Sequence, residues 1–251
     1  MIIQRATYDA LAYGVVIAGA AAFVALFFVV APYGRHARAG WGPTIPDRLG
    51  WVLMESPSLV LFGAIFFMGP HHAQTAPLAL WAMWTLHYAN RTIVYPLRIK
   101  SEKRMPVAIA AMAFVFNVTN ATMNASWIGA LGTYASDWIT RPAFLSGTAL
   151  FACGMIVNID ADRRLFALRA STKGYAIPRG GLYELVSCPN YLGEIAEWIG
   201  WAIASWSLGG LAFALFTIAN LAPRALSNHA WYKRTFDDYP RGRRALVPFV
   251  V

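Results

Sequence analysis

The chemistry in this sequence lies in polar side chains placed where apolar neighbours make them costly. Glu55 falls inside the apolar segment 51–68, where a carboxylate costs at least about 2.5 kcal/mol on insertion scales. It either pairs with an arginine or caps a helix near an interface, or it lines a substrate pocket. A second group, His87-Tyr88-Ala89-Asn90-Arg91-Thr92, closes another apolar run. Tyr88 and Arg91 are three apart and Tyr95 is one further turn along, so a helix puts them on one face. A buried tyrosine often does no more than satisfy its hydroxyl with a neighbour. Taken with Glu55, however, Tyr88 supplies a phenol opposite an acid from a different segment. Both could donate to one ketone oxygen if desolvation keeps the acid protonated.

A third group follows Asn190. Glu194 and Glu197 share a helix face near its N-terminus, where the macrodipole favours negative charge and capping alone would explain them. Asn158 and Asp162, four apart, also share a face, while Arg169, Arg224 and Arg243 carry planar cationic forks suited to phosphate. Acceptors and arginines in this combination fit a nucleotide with ribose hydroxyls, an amide and phosphates, although a positive-inside bias accounts for part of the arginine content. With neither a Walker loop nor a G-x-G-x-x-G turn in the chain, a nucleotide would sit in a helical site.

Membrane spans have to position these residues. The chain is 58% hydrophobic and 13% charged, outside the usual range for soluble domains. The run 11–33 contains no charged residue, enough to cross a bilayer core, and it is too long for a cleavable signal peptide. Further spans are expected over 51–68, 75–95, 106–122 and 142–159, and the stretch 191–223 is long enough for two, joined near Ser207, Gly209 and Gly210. The segments 34–48, 124–141 and 160–190, and the tail from Arg224, read as polar connections. The net charge of +9 gathers in short basic blocks between spans, which argues for a cytoplasmic membrane face and against nucleic acid. Cys153 and Cys188 show no ligand spacing, so no metal is expected. The expectation is an all-α polytopic bundle in a single domain, 1–251, with about seven transmembrane helices, the N-terminus outside and the C-terminus cytoplasmic.

On these residues the chain resembles the steroid 5-alpha-reductase family over nearly its whole length. IPRGGLYELVSCPNYLGEIAEWIGWAIASWSL from Ile177 to Leu208 is similar to that family's Gly-Gly turn followed by Asn, Gly-Glu and Glu-Trp-x-Gly, and FDDYPRGRRALVPF from Phe236 to Phe249 to its closing motif. Trp51 with Glu55-Ser56-Pro57-Ser58, and HYANRTIVY from His87 to Tyr95, resemble its substrate-side motifs. The resemblance implies NADPH-dependent reduction of a carbon-carbon double bond conjugated to a ketone. Glu55 and Tyr88 would bind the ketone beside Trp51, and the part from about residue 142 would bind the cofactor. The implied NADPH contacts are Asn158, Asp162, Arg169, Tyr175, Asn190, Glu194, Arg224, His229, Tyr232 and Arg243, with Tyr33 on the nicotinamide side. Ala176 stands where vertebrate members have an arginine, a charge that Arg179 would replace. The substrate would be a steroid or other enone lipid, and the protein a monomer in the inner membrane of a bacterium or the endoplasmic reticulum of a eukaryote. The alternatives are an isoprenylcysteine-carboxyl-type methyltransferase using S-adenosylmethionine, a sterol reductase acting on an isolated double bond, and a lipid-binding scaffold.

Overall fold

The computed structural model describes every residue except 1, 31–33, 37, 39, 101–102 and 173. The α-helices are α1 (Arg5–Phe28), α2 (Asp47–Met68), α3 (Thr75–Ala89), α4 (Tyr95–Arg98), α5 (Val107–Ser126), α6 (Pro142–Ser171), α7 (Pro189–Ser205) and α8 (Leu208–Thr235). A π-helical turn, Asn90–Val94, joins α3 to α4, and another, Trp127–Leu131, extends α5. Among the described residues, five helices are long and apolar enough to cross a membrane: α1, α2, α5 with its extension, α6 and α8. α3 and α7, at 15 and 17 residues, are shorter.

Several polar segments expected as connections are helical. α6 runs on to Ser171, because Asp160 pairs with Arg163 at 2.7 Å and with Arg164 at 2.6 Å, and such pairs at i+3 and i+4 support a helix beyond the apolar layer. The tail from Arg224 continues α8 to Thr235, and α5 passes Asn124 to end in its π turn at Leu131. The bundle is not wholly α-helical either: β1 (Thr44–Pro46) pairs antiparallel with β2 (Arg104–Pro106), tying the 34–48 segment to the end of the α4 connection. Tyr33 lies outside the described residues.

Two packing arrangements set the site. α6 and α7 approach so closely that glycine is needed where they cross: a Cβ at Gly147 would stand 2.5 Å from the Ala204 nitrogen, at Gly154 2.5 Å from the Gly193 oxygen, and at Gly200 2.5 Å from the Gly147 oxygen. Small residues seven apart on both helices let backbones meet where the bilayer supplies no hydrophobic drive. The second arrangement is at Pro57 in α2. Proline removes the N–H that would bond Leu53 O, and Ser56 Oγ donates to that carbonyl at 3.0 Å. The neighbouring Met54 carbonyl accepts from Asn117 Nδ2 of α5 at 2.6 Å. The Glu55-Ser56-Pro57-Ser58 stretch is thereby a locally repaired helix break with Glu55 at its centre.

Candidate active site

A cavity of about 890 Å³ opens between α2, α3, α5, α6, α7 and α8, with the C-terminal half of α1 along one side. Its volume is near the upper end for small-molecule and cofactor sites. Glu55 from α2 and Tyr88 from α3 both line it, both buried. Asn117 Nδ2 donates to Glu55 Oε2 at 3.4 Å, and Ser58 Oγ donates to Asn117 Oδ1 at 2.9 Å. Ser58 acts electrostatically on the Tyr88 hydroxyl as well. Trp84 Nε1 donates to Ser58 O at 2.7 Å, fixing α3 against α2 at the turn below. The acid and the phenol therefore share a scaffold of serine and asparagine, and Phe116 and Met54 supply apolar wall on the same side.

The π turn brings Arg91 into the centre of this cavity. Its Nη2 lies 3.8 Å from Glu55 Oε1 and its Nη1 3.8 Å from Asp162 Oδ2. The guanidinium carbon sits 4.6 Å from the Trp51 ring centroid and 4.9 Å from that of Tyr95, and those two rings contact each other at 4.8 Å. Glu194 acts on the same guanidinium. One arginine thus joins α2, α6 and α7 between two aromatic faces, an arrangement that planar Arg makes and Lys does not. The extra residue of a π turn is a common device for aiming a functional side chain.

Beyond Arg91 the lining turns polar. Behind the wall Asn158 Nδ2 donates to Asn190 O at 2.9 Å, and on it Asn190 Nδ2 donates to Asp162 Oδ1 at 3.4 Å, so Asp162 of α6 and Asn190 of α7 present one amide-carboxylate surface. Arg169, Glu194, Arg224, Tyr175 and Tyr232 also line this part. Arg224 donates to Asn220 Oδ1 at 3.0 Å and to Tyr191 OH at 3.4 Å. Tyr175 OH accepts from Lys103 Nζ at 2.8 Å. Arg35 lies over the rings of Tyr232 at 4.4 Å and Trp231 at 5.0 Å, and its Nη1 is buried with no hydrogen-bond partner among the described residues. His36 is held below the usual histidine range by burial; the neutral ring donates from Nε2 to Asn228 Oδ1 at 3.0 Å.

Four residues expected at the cofactor are not brought to this wall, Asn158 among them, which lies behind it with its amide given to Asn190 O. Arg243 is buried elsewhere, donating to Pro178 O at 2.9 Å and to Glu184 Oε2 at 3.3 Å; it clamps the 178–184 turn. Glu184 is pulled below the usual carboxylate range, chiefly by the Gly180 N–H and also by Arg243. His229 Nδ1 meets Ser187 Oγ at 2.6 Å, and Ser187 also meets Tyr239 OH at 2.6 Å, which pins the C-terminal segment under α7. Arg179 is exposed and 3.8 Å from Glu184. Burial pushes the Cys188 thiol up to about 11, an inert packing role. Sequence reasoning left out Arg35, Asn117, Tyr191 and Asn220, all on the cavity wall. Arg91 was visible as a charge beside a span, but not as the hub that it is. Among the described residues no cluster could hold a metal ion.

A family model described as 3-oxo-5-alpha-steroid 4-dehydrogenase matches residues 103–251. The chain is similar to the steroid 5-alpha-reductase DET2 of Gossypium hirsutum, 46% identical over 91% of each chain. It is also similar to the DET2 protein of Arabidopsis thaliana, 43% identical over 94% of this chain and 93% of that one. The 3-oxo-5-alpha-steroid 4-dehydrogenase 1 of Bos taurus is 40% identical over 99% of this chain and 98% of that one.

Proposed function

This chain belongs to the 3-oxo-5-alpha-steroid 4-dehydrogenase family, and we propose on that basis that it reduces the 4,5 double bond of 3-oxo-4-ene steroids or similar enone lipids with NADPH. It is a multi-pass membrane oxidoreductase acting on a CH–CH bond. The observation that carries the reading is the single cavity in which Glu55 and Tyr88, from separate helices, share a wall with the amide, carboxylate and arginine groups of α6, α7 and α8.

The residues present fit a dinucleotide. Asp162 and Asn190 offer acceptors and donors for an amide or ribose hydroxyls, and Arg169 and Arg224 offer forks for phosphate. The buried Nη1 of Arg35, without a hydrogen-bond partner among the described residues, would be satisfied by a phosphate or ribose oxygen. NADPH bound there supplies a hydride equivalent to the β-carbon of the enone.

The protein's own task is to stabilise the negative charge that then develops on the ketone oxygen. Tyr88 donates its hydroxyl proton into a hydrogen bond with that oxygen. Glu55, in its acid form, donates a second. Glu55 and Asp162 each lie 3.8 Å from the Arg91 guanidinium, so Asp162 can balance the arginine's charge while Glu55 carries the proton. Trp51, Met54 and Phe116 keep water from the oxygen, and in such a site one donor is worth about 100-fold in rate.

In the bilayer we place seven spans: α1, α2, α3 with its continuation to Arg98, α5, α6, α7 and α8. The N-terminus is outside and the basic α6 end and C-terminus are cytoplasmic. The apolar substrate reaches the cavity from the bilayer and NADPH from the cytoplasm. Both halves of the cavity come from one chain, so a monomer suffices. The test is NADPH absorbance with purified protein and a 3-keto-4-ene steroid, alongside melts with NADPH or S-adenosylmethionine. Steroid-dependent NADPH loss and protection by NADPH are expected; protection by S-adenosylmethionine alone would favour the methyltransferase alternative.

A further inference from the structure

Glu197 is more enclosed than Glu55 or Asp162, with no exposed surface. It projects from α7 beside α6, where a Cβ at Gly154 would stand 3.0 Å from its Cγ. Its nearest polar partner among the described residues is His87 of α3, whose Nδ1 lies 2.9 Å from Oε2; beyond this ion-pair contact neither carboxyl oxygen has a hydrogen-bonding partner among the described residues. As a stability device this is poor, since an enclosed acid with one partner is outdone by an apolar side chain of similar size. The imidazole, unlike Glu197, reaches the cavity wall. It packs edge-on against Tyr88 at 5.0 Å and Trp198 at 4.6 Å between ring centroids. The charged groups facing the pair are Arg91 in the π turn after α3, Glu194 earlier on α7 and Glu55 from α2, while α6 presents the Gly154 backbone.

Reduction of an enone consumes a proton as well as a hydride equivalent, and the reaction proposed above leaves the proton's source open. We propose that the His87–Glu197 pair stores the proton taken up at the substrate's α-carbon, with His87 as donor and Glu197 as the positioning residue that keeps the proton on the ring. This inference rests on the reductase reading. Once the β-carbon has been reduced, the enolate's electron pair forms the new C–H bond at the α-carbon. An N–H bond of His87 breaks and the ketone C=O is restored. The pair, one proton short, takes a proton from water before the next turnover. The edge-on contact with Tyr88 places the donor beside the group that holds the oxygen, so proton and oxyanion contacts arise from adjacent residues of one helix.

The test is Glu197→Gln, which keeps the size and a hydrogen-bonding group but not the exchangeable charge. With a 3-keto-4-ene steroid the variant is expected to lose about 100-fold in kcat, the scale of one proton-transfer group, with KM within about 3-fold. Its alkaline limb of kcat against pH is expected to shift, and its solvent isotope effect to grow. Unchanged kcat, pH limb and isotope effect would overturn the proposal. Should Glu197→Gln fail to fold, His87→Gln carries the same expectations and the same contradiction. A readout without substrate separates this from the reductase reading: in histidine-15N-labelled protein, a low-field Nδ1–H resonance of His87 is expected and should vanish in Glu197→Gln. Its absence from the unaltered protein would overturn the shared proton even if steroid turnover were robust, and its presence would support the pair even if no steroid were reduced.

Discussion

Arg91 and Glu55 face each other across the α2–α3 interface with Nη2 3.8 Å from Oε1, longer than a short charge-assisted bond and short enough to hold both side chains in place. The same guanidinium reaches Asp162 at the same distance. The residue joining the two ends of the cavity is therefore neither the acid nor the phenol but the arginine between them. Arg91→Leu would leave the Asp162 carboxylate without this cation and Glu55 without the group that holds it in place, in a buried site where breaking such a pair costs about 3 kcal/mol or more. The expected result is a lower melting temperature in detergent and loss of steroid turnover. Arg91→Lys should not restore activity, because ammonium cannot both lie between Trp51 and Tyr95 and reach Glu55 and Asp162; recovery above half of the original kcat would refute the hub.

Tyr88→Phe removes one donor to the ketone oxygen while keeping the ring that packs on Trp84 and His87. The account expects kcat to fall by about 100-fold, with NADPH affinity within a factor of a few, measured by nucleotide fluorescence. An equal loss of NADPH binding would mean that Tyr88 serves the fold rather than the oxygen.

The α6–α7 crossing should tolerate no added volume. In Gly200→Val the branched side chain would begin at a Cβ 2.5 Å from the Gly147 carbonyl oxygen and 2.5 Å from the Phe151 nitrogen, forcing the helices apart at a cost of about 1–3 kcal/mol or more. A thermal melt should fall accordingly. Because Asn158 and Asn190 face each other across the same crossing, NADPH affinity should fall with it.

Glu184 makes an acid-sensitive contact. Its folded pKa lies below its unfolded one, so its contribution is complete above the unfolded value of about 4.3 and is lost as pH falls through the folded value. Melting temperature plotted against pH should therefore drop more steeply on the acid side for the unaltered protein than for Glu184→Gln. Parallel curves would show that the Gly180 and Arg243 contacts do not stabilise the turn.

Much of this was readable from residue chemistry alone. A carboxylate at position 55 within an apolar run demands a partner or a pocket, and the structure supplies both. The density of polar groups at 87–92 marked the facing helix. What could not be read was geometry that depends on register and contact. The π turn that aims Arg91 leaves no trace in hydropathy. Arg243 carries the same fork as Arg224, yet folds back onto Pro178 and Glu184, since nothing in an arginine's type says which carbonyl lies within reach. The charge of the stretch from Asp160 suggested a loop, because polarity reports distance from lipid rather than backbone conformation, and the Asp160–Arg164 pair that supports the helix is seen only in the structure. The glycines at 147, 154, 193 and 200 are evident as a seven-residue spacing only once α6 and α7 are known to be antiparallel neighbours.

The most direct measurement is the fate of the transferred hydrogen. The purified protein would be given NADPH deuterated at the nicotinamide C4 and a 3-keto-4-ene steroid in ordinary water, and the product examined by NMR and mass spectrometry. The account predicts one deuterium at C5, in the 5-alpha configuration, and solvent hydrogen at C4. Deuterium at C4, or a reduced steroid carrying no label from either face of the nicotinamide, would contradict it.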